Sequence, residues 1–172
     1  MKPMRLAKRE IKDKETLQQI LEECRVLRIG TMDEDGIYII PMNYGYEWQE
    51  GELPRFYVHS AREGRKVRAF CAREEVSFEL DREGGIIKGD YACSYSFAFQ
   101  SIMGGGKIRL VTDGEEKLRG LTCLMEHMEP GKKLNFTKEM TEAVHVYCIE
   151  AGWLTGKERR PKNSQEQAGR NP

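Results

Sequence analysis

Residues 56–66, FYVHSAREGRK, set a strand directly against a compact basic turn. Phe56, Tyr57 and Val58 carry the aromatic and β-branched side chains of a buried strand. The stretch from Ser60 to Lys66 then holds a serine, a glycine and three basic residues, Arg62, Arg65 and Lys66. A short helix is expected from about residue 64 to 72. The first turn of a helix exposes unpaired N–H groups and a partial positive charge, which favour acidic neighbours. Here only Glu63 is acidic, and cations crowding that end are unfavourable unless an anion is present. Ser60 adds a hydroxyl donor, and Gly64 lets a ligand approach the backbone, so the turn has the chemistry of a phosphate site. A solvated basic turn neutralised by Glu63 fits the same residues.

Residues 13–24 space Leu17, Ile20, Leu21 and Cys24 as a helix, with Asp13 as N-cap. Arg25–Thr31 reads as a strand, DEDG at 33–36 as a turn and 37–47 as the return strand of a hairpin. Pro41 cannot donate to a ladder, so that strand is expected to bulge or to lie at an edge. After the basic turn, 76–80 alternates as a strand with Val76, Phe78 and Leu80 inward. DREGG at 81–85 reads as a turn, and 86–96 as a loop around a short strand. Residues 97–111 read as a long strand broken at Gly104–Gly106. Asp113 and Glu116 open the strongest helix of the chain, with Leu118, Leu121, Met125 and Met128 as its buried stripe and Pro130-Gly131 as its stop. Residues 143–156 form a last strand, and 157–172 a polar tail. The pattern is mainly β (α+β): six strands or so in an antiparallel barrel with a few packed helices. One domain is expected over 1–156.

The chain has 172 residues, 28 basic and 28 acidic, so the formal net charge is zero. That argues against a bulk nucleic-acid binder. No apolar run has the length of a membrane span, and the charged N-terminus lacks a signal-peptide core, so no membrane partner and a cytoplasmic location are expected. The five cysteines, 24, 71, 93, 123 and 148, are scattered and form no C-x-x-C pair. They are expected to be mostly small core residues in a reducing compartment, with Cys71 facing inward. His127 reads as a favourable charge near a helix C-terminus and His145 as a packed strand histidine. No His, Cys and carboxylate set has metal-site spacing.

RVLRIGTMDEDGIYIIPMNYGY (25–46), FYVHSAREGRK, VSFELD and FQSIMGGGKIRLV fall in one order, and together they resemble the pyridoxamine 5′-phosphate oxidase-like flavoproteins, most closely their nitroimidazole-resistance group. The resemblance covers about Arg25 to Trp153. It implies a split β-barrel and a homodimer with FMN at the subunit interface. Ser60 and Lys66 would contact the phosphate, with Arg65 as helper. The main chain of Met42, Asn43 and Tyr44 would face the flavin ring, and His59 would lie close to it. The partner subunit would contribute Ser101 and the glycines from Gly104. Trp153 would border the flavin or serve as an aromatic anchor. The glycines suit close approach by a ring, and equally a bulge in a bent strand.

Two functions compete. One is an FMN-dependent reductase, fed by NAD(P)H or another donor and acting on a small organic acceptor of nitroaromatic type. Flavin carries such chemistry without an acid–base dyad, and the sequence shows none. The other is a non-catalytic protein that stores or senses flavin or haem. Pyridoxamine phosphate oxidation itself is disfavoured, because the chain lacks the C-terminal Arg-Leu-x-Pro segment of members with that activity.

Overall fold

A computed structural model describes residues 4–132 and 134–161. Eight strands form an antiparallel sheet with strand order β3-β2-β6-β7-β8-β5-β4, and the two-residue β1 (Glu10–Ile11) pairs with β8. The sheet does not close. β2 (Leu27–Asp33) and β3 (Gly36–Met42) form the expected hairpin in unbroken register, with Pro41 on the outer edge strand. The edge placement, not a bulge, is what accommodates the missing donor. β4 (Gly45–Glu47) and β5 (Arg55–Ser60) occupy the other end of the order. Yet Ile40 and Met42 of β3 share one buried cluster with Phe56 and Val58 of β5. The sheet is therefore curled so that both ends cover a common core, as in a split barrel.

The helices start where local chemistry places them. Asp13 caps α1 (Lys14–Glu23) by accepting from the Thr16 N–H at 2.8 Å, and Leu17, Ile20 and Leu21 are buried. Asp113 caps α3 (Gly114–Met128) through the Glu116 N–H, also at 2.8 Å. α2 (Arg65–Ala72) follows the basic turn, and α4 (Lys138–Glu142) precedes β8.

Several expectations need correction. Residues 81–85 are not a turn: β6 runs from Glu75 to Ile87, and the glycines form a bulge between Glu83 and Gly85 opposite β7. Residues 88–95 are the expected loop, with a 3-10 turn at Ala92–Ser94 in place of the short strand, and β7 (Ser96–Leu110) passes through its glycines without a break against β6. β8 runs from His145 to Arg159, so residues 157–159 belong to the sheet; residues 162–172 lie outside the described residues. The buried face of α3 is Gly120, Leu121 and Leu124, while Leu118 is 44% and Met128 36% exposed. A Cβ on Gly120 would lie 2.7 Å from the Tyr57 ring, and one on Gly45 would lie 2.3 Å from the Cys123 backbone. This close glycine packing rotates α3 away from its most hydrophobic stripe. Finally, Cys71 faces solvent, as does Cys93; only Cys24 and Cys148 are buried.

Candidate functional site

The basic turn closes β5 and opens α2. Ser60, 5% exposed, is the last residue of β5 and pairs with His145. Its hydroxyl donates to the Ala61 carbonyl at 2.7 Å. Gly64 is the N-cap of α2 at φ 124°, a conformation that L side chains rarely adopt, and the space where a Cβ would stand is open. No side chain caps this helix and no acid lies in its first turn. The first turn of α2 thus has no capping side chain, a setting that suits an anion.

The cations of the turn divide. Arg65 is committed: its Nε and Nη2 bond Asp33 at 2.7 and 3.0 Å, and its guanidinium lies 4.2 Å from the centre of the Tyr38 ring. That bidentate contact holds the Asp33 carboxyl below the usual carboxylate range. Arg65 thereby ties α2 to the β2–β3 hairpin. Among the described residues, no ion pair includes Arg62, Lys66 or Arg68. Lys66 is half-buried beside His59. Partial desolvation and then the Lys66 ammonium pull the His59 imidazole below its ordinary pKa, although the residue itself is exposed. The neutral ring is favoured there.

On the segment joining β3 to β4, the side chains have structural duties. Met42 is buried, Asn43 Nδ2 donates to the Arg25 carbonyl at 2.9 Å, and the Tyr44 hydroxyl donates to the Leu21 carbonyl at 2.7 Å. His127, expected to act only as a helix-end charge, donates from Nδ1 to the Tyr44 carbonyl at 2.6 Å and accepts from Arg25 at Nε2.

A second set lies on β7 and β8. Ser101 is half-buried opposite Asp81 and Lys157. A Cβ on Gly104 would meet the Phe78 ring at 2.2 Å, and one on Gly105 the Trp153 indole at 2.7 Å. The register with β8 shifts between Gly105 and Gly106. The glycines are thus explained within the chain by packing and a bulge. Trp153, 36% exposed, lines a groove of about 640 Å³ with Thr31, Met32, Ile37 and Ser77. Thr31 Oγ1 in that groove is buried without a hydrogen-bond partner. His59 pairs with Val146, and Trp153 lies seven residues farther along β8, roughly 20 Å at strand rise. His59, Ser60 and Lys66 therefore come together, while Ser101, Gly104 and Trp153 stand apart from them in the same chain.

Sequence reasoning missed a pocket of about 400 Å³ beyond the turn, lined by Arg62, Leu110, Lys117, Glu142 and His145 among others. Its residues are far apart in sequence, and no local motif links them. Burial, then Arg62 and Lys117, hold the His145 imidazole below its ordinary pKa. Among the described residues, no group of His, Cys, Asp and Glu is arranged to hold a metal ion, and no helix is long and apolar enough to cross a membrane.

The profile of the family described as pyridoxamine 5′-phosphate oxidase matches residues 13–158. No curated protein matches the chain. A Bacteroides thetaiotaomicron protein, described as a candidate 5-nitroimidazole antibiotic resistance protein, is 28% identical with a TM-score of 0.73, over 87% of this chain and 86% of that one. A flavocytochrome from Azotobacter vinelandii superposes with a TM-score of 0.76 at 21% identity, over 99% of this chain and 79% of that one. An FAD and haem binding protein from Mycobacterium smegmatis gives 0.76 at 15% identity, over 94% and 79%.

Proposed function

We propose, for a chain that belongs to the pyridoxamine 5′-phosphate oxidase family, a flavin-dependent oxidoreductase whose Ser60–Lys66 turn holds the phosphate of FMN. The observation that carries this reading is the uncapped, acid-free start of α2 beside the unpaired Lys66 and the buried Ser60. Lys66 would supply a charge-assisted contact, Ser60 a hydroxyl, and the first-turn N–H groups the remaining donors. When bound, the flavin supplies the redox chemistry, accepting electrons from a donor such as NAD(P)H and passing them to a small organic acceptor. The chain's own part is to bind, orient and exclude water. The neutral His59 ring presents one donor and one acceptor nitrogen beside the phosphate turn. A nitroaromatic acceptor is supported by the 28% identical Bacteroides relative.

The reading includes a homodimer. Ser101, Gly104 and Trp153 reach a flavin held at Ser60 only from a second subunit, given their separation along β8. Ile37 and Ile39, 82% and 63% exposed, and Met103, 54% exposed, are the apolar surface such a partner would cover.

The test titrates FMN and riboflavin into wild type and Lys66→Ala, followed by flavin fluorescence. Loss of a hydrogen bond to a charged group should weaken FMN by roughly tenfold to a hundredfold. Riboflavin, which has no phosphate, should be unaffected. Equal losses for both ligands would show that Lys66 acts through structure and would overturn the assignment.

A further inference from the structure

Three segments far apart in the chain meet around the pocket of about 400 Å³. Arg62 comes from the turn after β5, Lys117 from the start of α3 and His145 from the first position of β8. Neither Arg62 nor Lys117 has an ion-pair partner among the described residues. The neighbouring acids are engaged elsewhere. Glu142, which also lines the pocket, lies 3.8 Å from the Lys138 ammonium. Asp113, one turn before Lys117, uses its carboxylate to cap α3 through the Glu116 N–H. Glu116 in turn holds the Arg109 guanidinium through both oxygens, at 3.0 and 2.6 Å. The field of the two cations converges on one side chain: after burial, Arg62 and then Lys117 hold the His145 imidazole below its ordinary pKa. His145 Nδ1 lies 3.4 Å from the Tyr147 hydroxyl, and no hydrogen bond to a described residue uses Nε2. Like charges gathered at one concavity without a counterion are unfavourable, and a bound anion relieves this.

We propose that this pocket is a separate binding site for a small organic dianion, with Arg62 and Lys117 matching its charge, His145 Nε2 bonding it, and Leu110 and Val111 packing against its apolar stem. The site uses no residue assigned above to the flavin and does not depend on that assignment. Two permanent cations without partners call for two negative charges. The volume falls in the range of small-molecule sites, which leaves room for an organic group beside the charge. Leu110, 39% exposed, and the buried Val111 supply an apolar wall for that group. A phosphate monoester and a dicarboxylate share this chemistry.

The experiment titrates phenyl phosphate, succinate and benzoate by calorimetry into protein saturated with FMN, so that the Ser60–Lys66 turn is filled. The pH is one at which the first two probes carry two charges and benzoate one. At least one dianion should bind tenfold or more tightly than benzoate. The tighter of the two assigns the source, a phosphate monoester or a dicarboxylate. Arg62→Gln/Lys117→Gln should weaken that dianion by roughly tenfold to a hundredfold. Lys117→Gln alone keeps most of the side-chain stem and should show a loss in the same direction if the double variant unfolds. Equal binding of all three probes, or a dianion affinity that the variants leave unchanged, would overturn the proposal. Lys66→Ala should leave the dianion affinity as in wild type, and it replaces FMN saturation should FMN not bind. A loss in Lys66→Ala would put the probe at the turn and overturn the separate site, whereas failure of Lys66→Ala to weaken FMN would count against the flavin reading alone. A second readout follows the imidazole signals by NMR. The bound dianion should raise the His145 pKa and leave that of His59 in place, because a nearby negative charge favours the imidazolium. An equal shift of both histidines, or none, would also overturn the proposal.

Discussion

Replacing Thr31 by Val should stabilise the flavin-free protein. Thr31 is 7% exposed on β2, and its Oγ1 is buried with no hydrogen-bond partner. A buried polar group left unpaired costs about 1–3 kcal/mol. Because Thr31 lines an open groove although its Oγ1 is buried, the lower part of that range applies, about 1–2 kcal/mol. Val has nearly the same shape and a high strand propensity, so the swap should add no cavity and little strain. For a domain of this size, each kcal/mol shifts the melting temperature by roughly 2–4 °C, so Thr31→Val should melt roughly 2–8 °C higher. Thr31→Ser keeps the hydroxyl and deletes the methyl group; it should melt lower than wild type. The assay is thermal unfolding of all three proteins without flavin, followed by circular dichroism. A melting temperature for Thr31→Val at or below wild type would mean that the hydroxyl is already satisfied in solution, and the reasoning would fail.

Gly45→Ala should destabilise more than Gly120→Ala, because its Cβ meets the Cys123 backbone while that of Gly120 meets a Tyr57 ring that can rotate; overpacking of this kind costs about 1–3 kcal/mol, and urea midpoints rank the two. Stability of the flavin-free protein should fall in two stages on acidification. The lowered His59 and His145 values make the folded state bind fewer protons than the unfolded one, so stability present above the ordinary 6.5 is lost as pH falls through the folded values. The carboxyls of Asp33, bonded to Arg65, and Glu116, bonded to Arg109, act in the same sense below their ordinary 3.8 and 4.5. His59→Gln should flatten the first stage in melts between pH 5 and 7.5; an unchanged slope would refute its part. Thiol-reagent titration should show two fast cysteines, Cys71 and Cys93, while burial pushes Cys24 and Cys148 up to about 11 and leaves them slow. Blocking the fast pair should leave flavin binding intact; its loss would reveal a functional thiol.

Features governed by near neighbours were legible in the sequence. Asp13 and Asp113 announce their helices because a cap needs only the next three residues. The hairpin at 33–36 and the edge position of Pro41 follow from turn chemistry and a missing donor. Gly84-Gly85 was misread because a bulge and a turn demand the same backbone freedom. The α3 face was misread because two glycines, not its largest side chains, decide how close the helix can come. At the candidate site, Ser60, Lys66 and His59 were legible as one continuous motif. Arg65 belongs to that motif by position, yet Asp33, 32 residues away, claims its guanidinium. The Arg62–Lys117–His145 pocket was invisible for the same reason: three segments far apart in sequence meet only after the sheet forms.

The two borders of the sheet are unequal. β4 is three residues long, and α3 lies so close over it that even a methyl group on Gly45 would strike the helix backbone. β4 offers little length for strand addition on that side. β3 is seven residues long and unpaired on its outer side, with Ile37 and Ile39 in solvent and Pro41 alone interrupting its donors. Growth by docking a foreign strand is therefore one-directional. In refolding at high concentration, self-association should begin at β3. A lysine in place of Ile39 is the gatekeeper most suited to keeping isolated chains apart.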